Sequence, residues 1–213
     1  MNLIVLAKEP APGRSKTRLS PPCSPREAAS IAEAALADTL ATVAAVPAAR
    51  HVLALDGGPG TWLPAGIDVI PQRGRGLAER LAAAFADVGG PAFLVGMDTP
   101  QLTNELLGDA VDHLRRPGID AVLGAAEDGG WWGIGLRESN DAVFVGVPMS
   151  TCATADAQRT RLRLLGLRFD ELRVLRDVDM FEDAVEVAAS VPGSGFAATV
   201  AGVEAGFEPE VLT

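Results

Sequence analysis

Leu3-Ile4-Val5-Leu6-Ala7-Lys8-Glu9-Pro10-Ala11-Pro12-Gly13-Arg14-Ser15-Lys16-Thr17-Arg18-Leu19 is the stretch on which the reading of this chain turns. Its apolar opening, Leu3 to Leu6, predicts a buried strand bounded by breakers. The strand runs into a loop with four cations, Lys8, Arg14, Lys16 and Arg18, grouped around Gly13 and two prolines. Lys8 and Lys16 are the only two lysines of the 213 residues, every other basic side chain being an arginine. Such a loop at a strand end suits a phosphate or diphosphate, because a lysine ammonium acts as a compact point charge while arginine offers planar, two-pronged contacts. A solvated basic turn is the plainer alternative. A Walker P-loop ending at Lys16-Thr17 does not fit, since it would require glycine where Pro10 and Ser15 stand.

Outward from this loop, apolar runs and helical spacings alternate. Ser24-Pro25-Arg26-Glu27 combines a capping serine, a proline suited to the first helical position and a glutamate placed to reach back, so a helix is expected from there to about Val46. Strands are expected at 51–55, 67–70, 92–95, 121–125, 132–136 and 173–175, and helices at 77–88, 103–114, 153–165, 181–189 and 194–206. The alternation predicts an α/β sandwich with a mainly parallel sheet, whose strand ends carry the ligand-binding loops. No linker or change of composition divides the chain, so one domain over residues 1–213 is expected.

The totals narrow the function. A formal charge of −10, with the cations local, argues against general nucleic-acid binding and favours a small anionic ligand. Cys23 and Cys152 match no zinc spacing, and His51 and His113 add no metal cluster. A metal would therefore sit on carboxylates and be a hard cation, Mg²⁺ or Mn²⁺. No apolar run approaches the roughly 20 residues of a membrane span, and the apolar start is short for a secretory signal. A cytoplasmic location is the expectation.

Three acidic loops follow apolar runs. In Phe93-Leu94-Val95-Gly96-Met97-Asp98-Thr99-Pro100, Asp98 stands just past a strand, where Pro100 keeps the backbone from passing directly into a helix. Arg176-Asp177-Val178-Asp179 points two carboxylates to one side if extended. Asp98, Asp177 and Asp179 together could cage a divalent ion that neutralises a diphosphate; an N-cap role is the alternative for each loop taken alone. In Glu127-Asp128-Gly129-Gly130-Trp131-Trp132, the glycines allow close approach to a ligand and a tryptophan could stack on a sugar or base. Adjacent strand residues face opposite ways, so at most one tryptophan is expected at the substrate. Gln72-Arg73-Gly74-Arg75-Gly76 is a weaker basic turn ahead of a helix.

Taken together, Lys8-x-Pro10-x-x-Gly13-x-x-Lys16-Thr17-Arg18-Leu19, Gly96-x-Asp98-x-Pro100, Asp128-Gly129-Gly130-aromatic, Ser150-Thr151 and Asp177-Val178-Asp179 with Glu182-Asp183 resemble the DUF2064 family. That family is classed with GT-A-type glycosyltransferases and related to the 2-phospholactate guanylyltransferases. The resemblance implies a GT-A nucleotide-diphospho-sugar transferase fold, a three-layer α/β/α sandwich, with the nucleotide beside the first strand. It places Lys8, Gly13, Arg14, Lys16, Arg18, Gln72 and Gly74 at the nucleotide, Asp98, Asp177 and Asp179 at a metal, and Asp128, Gly129, Gly130, Trp131 and Trp132 toward the acceptor. The sequence departs from the family pattern at Gly76, where an aspartate is usual, and at Ala78, Trp131, Met149 and Met180-Phe181.

The leading expectation is a metal-dependent transferase in which the hydroxyl of a small acceptor attacks the sugar carbon of an NDP-sugar. Lys16 and the metal would stabilise the departing diphosphate, and Asp128 would act as general base. A nucleotidyltransferase, in which the acceptor attacks the α-phosphate of an NTP and releases pyrophosphate, is the first alternative. A nucleotide-binding module without turnover is the second.

Overall fold

A computed structural model describes residues 1–207. Seven strands form one sheet: β1 (Asn2–Lys8), β2 (Arg50–Asp56), β3 (Asp68–Pro71), β4 (Ala92–Gly96), β5 (Ala121–Ala125), β6 (Trp131–Leu136) and β7 (Phe169–Glu171). Their spatial order is β3-β2-β1-β4-β6-β5-β7. The pairs β1–β2, β1–β4, β2–β3 and β5–β7 are parallel, and β6 runs antiparallel to both β4 and β5. The expected mainly parallel mixed sheet is present.

Alternation along β1 builds two faces. Leu3, Val5 and Ala7 pack with Leu36, Leu40 and Val43 of α1 (Pro25–Ala45) and Leu107, Ala110 and Leu114 of α3 (Asn104–Arg115). Ile4 packs on the other side with Leu81, Ala84 and Phe85 of α2 (Leu77–Val88), Phe144, and Leu162 of α4 (Thr154–Leu164). These are the three layers of an α/β/α sandwich. Each fully buried leucine or isoleucine contributes about 1.5–3 kcal/mol of apolar transfer.

The helix start predicted at Ser24 is realised as a capping box: Glu27 N–H donates to Ser24 Oγ at 3.3 Å and Ser24 N–H to Glu27 Oε2 at 2.7 Å. α1 requires one correction. At 21 residues, with a mean hydropathy of 1.3 in its most apolar window, it is by length and composition long enough to cross a membrane. Alanines spread between its larger apolar residues hid this in the sequence. Its apolarity has a packing cause, because Ala28, Ile31 and Ala35 are buried as well, against Phe181 and Val187 of α5 (Phe181–Ser190) and Phe196 and Val200 of α6 (Gly195–Glu204). The helix is covered on two sides.

A second correction concerns the last strand. It was expected at 173–175 but lies at Phe169–Glu171, and Leu175 makes only an isolated bridge to Ala126. Leu172 N–H donates to Leu123 O and Leu175 N–H to Ala125 O, so the chain keeps pairing with β5 while Val174 turns outward and is 51% exposed.

Candidate functional site

The sheet brings the relevant loops to one edge. Lys8 is in register with Asp56, and Leu6 with Gly96, so the loops after β1, β2 and β4 leave from the same side. Because β6 is antiparallel, with Val95 opposite Gly133, the β5–β6 turn at 126–130 also lies there. The bridge from Leu175 to Ala126 draws in the segment carrying Asp177 and Asp179.

The basic loop folds on itself through Ser15, whose Oγ accepts from Ala11 N–H at 3.1 Å and donates to Glu9 O at 3.0 Å. Lys16 follows in a left-handed conformation, φ 48° and ψ 42°, uncommon for a residue with a side chain. Its side chain is only 9% exposed. The ammonium lies 2.9 Å from Asp98 Oδ2 and 3.8 Å from Asp179 Oδ1, and also donates to Val178 O. Arg18 meets Asp179 from outside at 2.8 Å. Residues from three distant parts of the chain therefore meet.

Asp177 joins the same cluster. Burial pushes its carboxyl up to about 7; the negative charges of Asp98, Asp128 and Asp179 add to the rise, and Lys16 opposes it. Val178 between them is buried, and Asp177 and Asp179 flank it, each half-buried. As the chain stands, no three His, Cys, Asp or Glu side chains among the described residues are placed to enclose a metal ion by themselves. The donor set nevertheless fits a hard cation of the Mg²⁺ type, which takes one or two carboxylates and completes its shell with water and phosphate oxygens. Among the described residues Asp98 Oδ1 is buried without a partner, and Asp177 is a carboxyl held against its own charge; both would gain from an ion.

The other cations stand apart from Lys16. Lys8 and Arg14 are exposed; their charges reach Asp56, whose carboxyl is held below its usual range first by a hydrogen bond from Arg80. Gly13 is left-handed, φ 74°, with open space where a Cβ would be. Gln72 has little left to offer a ligand: its Nε2 donates to Ala7 O at 2.7 Å and Ala54 O at 3.0 Å, and its Oε1 accepts from Arg80 at 3.2 Å. At Gly74 a Cβ would come within 2.6 Å of Glu79 Cβ, so its glycine serves the close approach of the first turn of α2.

At the β5–β6 turn, Asp128 is exposed, and its Oδ1 accepts from Gly130 N–H at 2.7 Å. Gly129 is left-handed, φ 87°. The expectation for Trp132 is corrected: it is 1% exposed, packs edge-on against Phe93 with ring centroids 5.8 Å apart, and donates Nε1–H to Arg173 O at 3.0 Å. It is core, because the strand's alternation sends it under the sheet. Trp131 faces the opposite way, half-buried, with a buried Nε1–H that has no partner among the described residues.

Several participants escaped the sequence reading. Arg176, beside Asp177, pairs with Glu127 at 2.8 Å, Asp183 at 3.6 Å and also Glu186. Its carbonyl accepts from Gln101 Nε2–H, tying the Asp98 loop to the Asp177 loop. Glu9 Oε2 accepts from Gly58 N–H at 3.0 Å and fastens the loop after β1 to that after β2. The partners Glu127, Gln101 and Gly58 are remote in sequence from the residues they meet, and no local pattern announces them. Leu19 and Val178 lie in one buried cluster with Phe181 and Phe196, so the basic and acidic segments share an apolar anchor.

A family model described as "Uncharacterized protein conserved in bacteria (DUF2064)" matches residues 30–151. The match contains Asp98 and Asp128 and excludes Lys16 and Asp177. Comparison with curated proteins finds no match. Among solved structures, a candidate nucleotide-diphospho-sugar transferase from Desulfovibrio desulfuricans G20 superposes with a TM-score of 0.85 at 25% identity, over 96% of this chain and 95% of that one. A CMP:2-keto-3-deoxy-manno-octonic acid synthetase complexed with CTP gives 0.58 at 13% identity over 89% and 97%. A cytidylyltransferase from Leptospira borgpetersenii serovar Hardjo-bovis gives 0.58 at 12% over 96% and 94%. The latter two share the fold alone.

Proposed function

The chain belongs to the DUF2064 family, and from that premise and the edge-loop cluster we propose that it is a metal-dependent, nucleotide-utilising transferase, moving a glycosyl group from an NDP-sugar to a small acceptor. The observation that carries this is the contact of Lys16 with Asp98 at 2.9 Å, beside Asp177 and Asp179, at the strand ends where α/β sheets bind ligands. Likeness to the Desulfovibrio protein supports the NDP-sugar as donor class.

Asp98 and Asp177 would hold Mg²⁺ or Mn²⁺, with Asp179 at the margin; when bound, the ion supplies charge neutralisation for the leaving diphosphate. Lys16 contributes a positive charge for the donor's phosphates at the edge of the same cluster, where little water competes. Arg18, Arg14 and Lys8 line the approach and attract an anionic donor. Asp128 is exposed beside the cluster and would take the acceptor's proton, while the hydrogen bond from Gly130 N–H restrains the carboxylate.

That same exposure favours one second reading. Nucleotidyl transfer to a phosphate oxygen requires no proton to be removed, so it would proceed without Asp128. Incubating the protein with Mn²⁺ and panels of NDP-sugars and NTPs, and identifying the released product, tests both. NDP release that is lost in Asp128→Asn supports glycosyl transfer. Pyrophosphate release that survives the substitution supports nucleotidyl transfer. Binding with neither product would leave the non-catalytic module.

A further inference from the structure

Lys16 stands where an ion would have to go. Its ammonium touches Asp98 Oδ2 at 2.9 Å, lies 3.8 Å from Asp179 Oδ1 and donates to Val178 O. The backbone that delivers it is left-handed, and the side chain is 9% exposed. A residue in a sparsely populated conformation, with a cationic head among carboxylates, is held there by its surroundings. The neighbouring oxygen, Asp98 Oδ1, is buried and has no partner among the described residues, so the carboxylate is only half satisfied by the lysine.

We propose that Lys16 is a resident counterion, occupying the carboxylate cluster in the free protein and yielding it when a divalent metal binds, so that metal entry and release of the ammonium toward the donor's phosphates are one event. This deepens the metal-dependent reading above and rests on it. A divalent ion on Asp98 beside an unmoved ammonium would set like charges in near contact in a partly desolvated place, which is strongly unfavourable. The lysine stem has four rotatable bonds, so the head can leave without unfolding a loop that Ser15 and Leu19 fasten on either side. Arg18 cannot play this part, being 68% exposed and reaching only the outer oxygen of Asp179. The consequence is order: metal binds poorly alone, and a phosphate-bearing donor that receives the displaced ammonium favours its entry.

Mn²⁺ titration of the full chain, followed by the electron paramagnetic resonance of free Mn²⁺ with no nucleotide present, reads this without turnover. Lys16→Met should bind Mn²⁺ at least tenfold tighter than the native protein, and Arg18→Met less than threefold tighter. Equal affinity in Lys16→Met and the native protein, or an equal gain in Arg18→Met, overturns the counterion proposal and leaves the transferase reading standing. Absence of Mn²⁺ binding in all three, with or without nucleotide, overturns both. Should Lys16→Met fail to fold, acetylation of the native protein followed by mass spectrometry serves instead, since Lys8 is an exposed internal standard. Saturating Mn²⁺ should raise labelling of Lys16 relative to Lys8 at least threefold; an unchanged ratio overturns the proposal.

Discussion

Gly129 and Cys152 approach so closely that a Cβ on the glycine would lie 2.0 Å from the Cys152 carbonyl oxygen. Gly129 O in turn accepts from Ala155 N–H at 2.8 Å, so the β5–β6 turn is pinned to the start of α4. Gly129 also needs φ 87°, which disfavours any side chain. Gly129→Ala should cost about 2–4 kcal/mol, the sum of overpacking and a left-handed backbone. Urea unfolding measures it; a loss under about 0.5 kcal/mol would show that the turn shifts freely.

Asp177 gives a pH prediction. Its carboxyl is raised to about 7, above the unfolded value of about 3.9, so between these values the folded chain binds more protons than the unfolded one. Stability from this group is full below about pH 4 and is lost as pH rises through about 7. Asp177→Asn, which cannot ionise, should be more stable than the native protein by about 2 kcal/mol at pH 8, after allowance for solvent screening, and nearly equal to it at pH 4. Chemical denaturation at the two pH values checks this. A gain of the same size at both would assign the effect to packing.

Trp131 and Trp132 should separate cleanly. Trp132→Phe removes the hydrogen bond to Arg173 O and leaves a void beside Phe93, and should cost about 2–3 kcal/mol. Trp131→Phe removes a buried donor that has no partner among the described residues, so thermal stability should stay within about 1 kcal/mol or rise. Equal losses would contradict the assignment of the two faces.

Gln72→Ala should lower stability by about 1–2 kcal/mol, because three hydrogen bonds end on its amide. Nucleotide affinity measured well below the melting temperature should hardly change. A large loss of affinity in a stable Gln72→Ala protein would return this residue to the ligand.

Asp98 tests the metal. In the native protein, chelation with EDTA should weaken nucleotide binding at least tenfold; in Asp98→Asn, affinity should be the same with and without Mg²⁺. Calorimetric titration gives both numbers, and a preserved metal effect in the variant would remove Asp98 from the site.

The sheet and most helices were legible because each rests on a local period, as with Leu3, Val5 and Ala7 against Ile4, or on a local cap, as at Ser24 and Glu27. The strand expected at 173–175 failed because an apolar run at a sheet margin need not be buried throughout: only Leu175 of Val174-Leu175 turns inward. The meeting of Lys16 with Asp98 was legible from chemistry, since both follow strands that end on one side. What stayed hidden was how other groups are already engaged. Gln72 looked available until Ala7, Ala54 and Arg80 were placed around it. Arg176 was unremarked because Glu127, Asp183 and Gln101 reach it from other elements. Sequence shows which groups a segment carries; only the fold shows which are already satisfied.

Leu19 and Val178, buried in one cluster beneath the charged groups, bear on how the site responds to ionic strength. Concentrated salt thins the pull between an ammonium and a carboxylate but strengthens the association of apolar side chains when the anion is sulfate. The two segments should thus remain side by side in media that abolish their electrostatic attraction, and a donor's loss of affinity in brine would report on the donor's own charges rather than on dispersal of the residues that receive it.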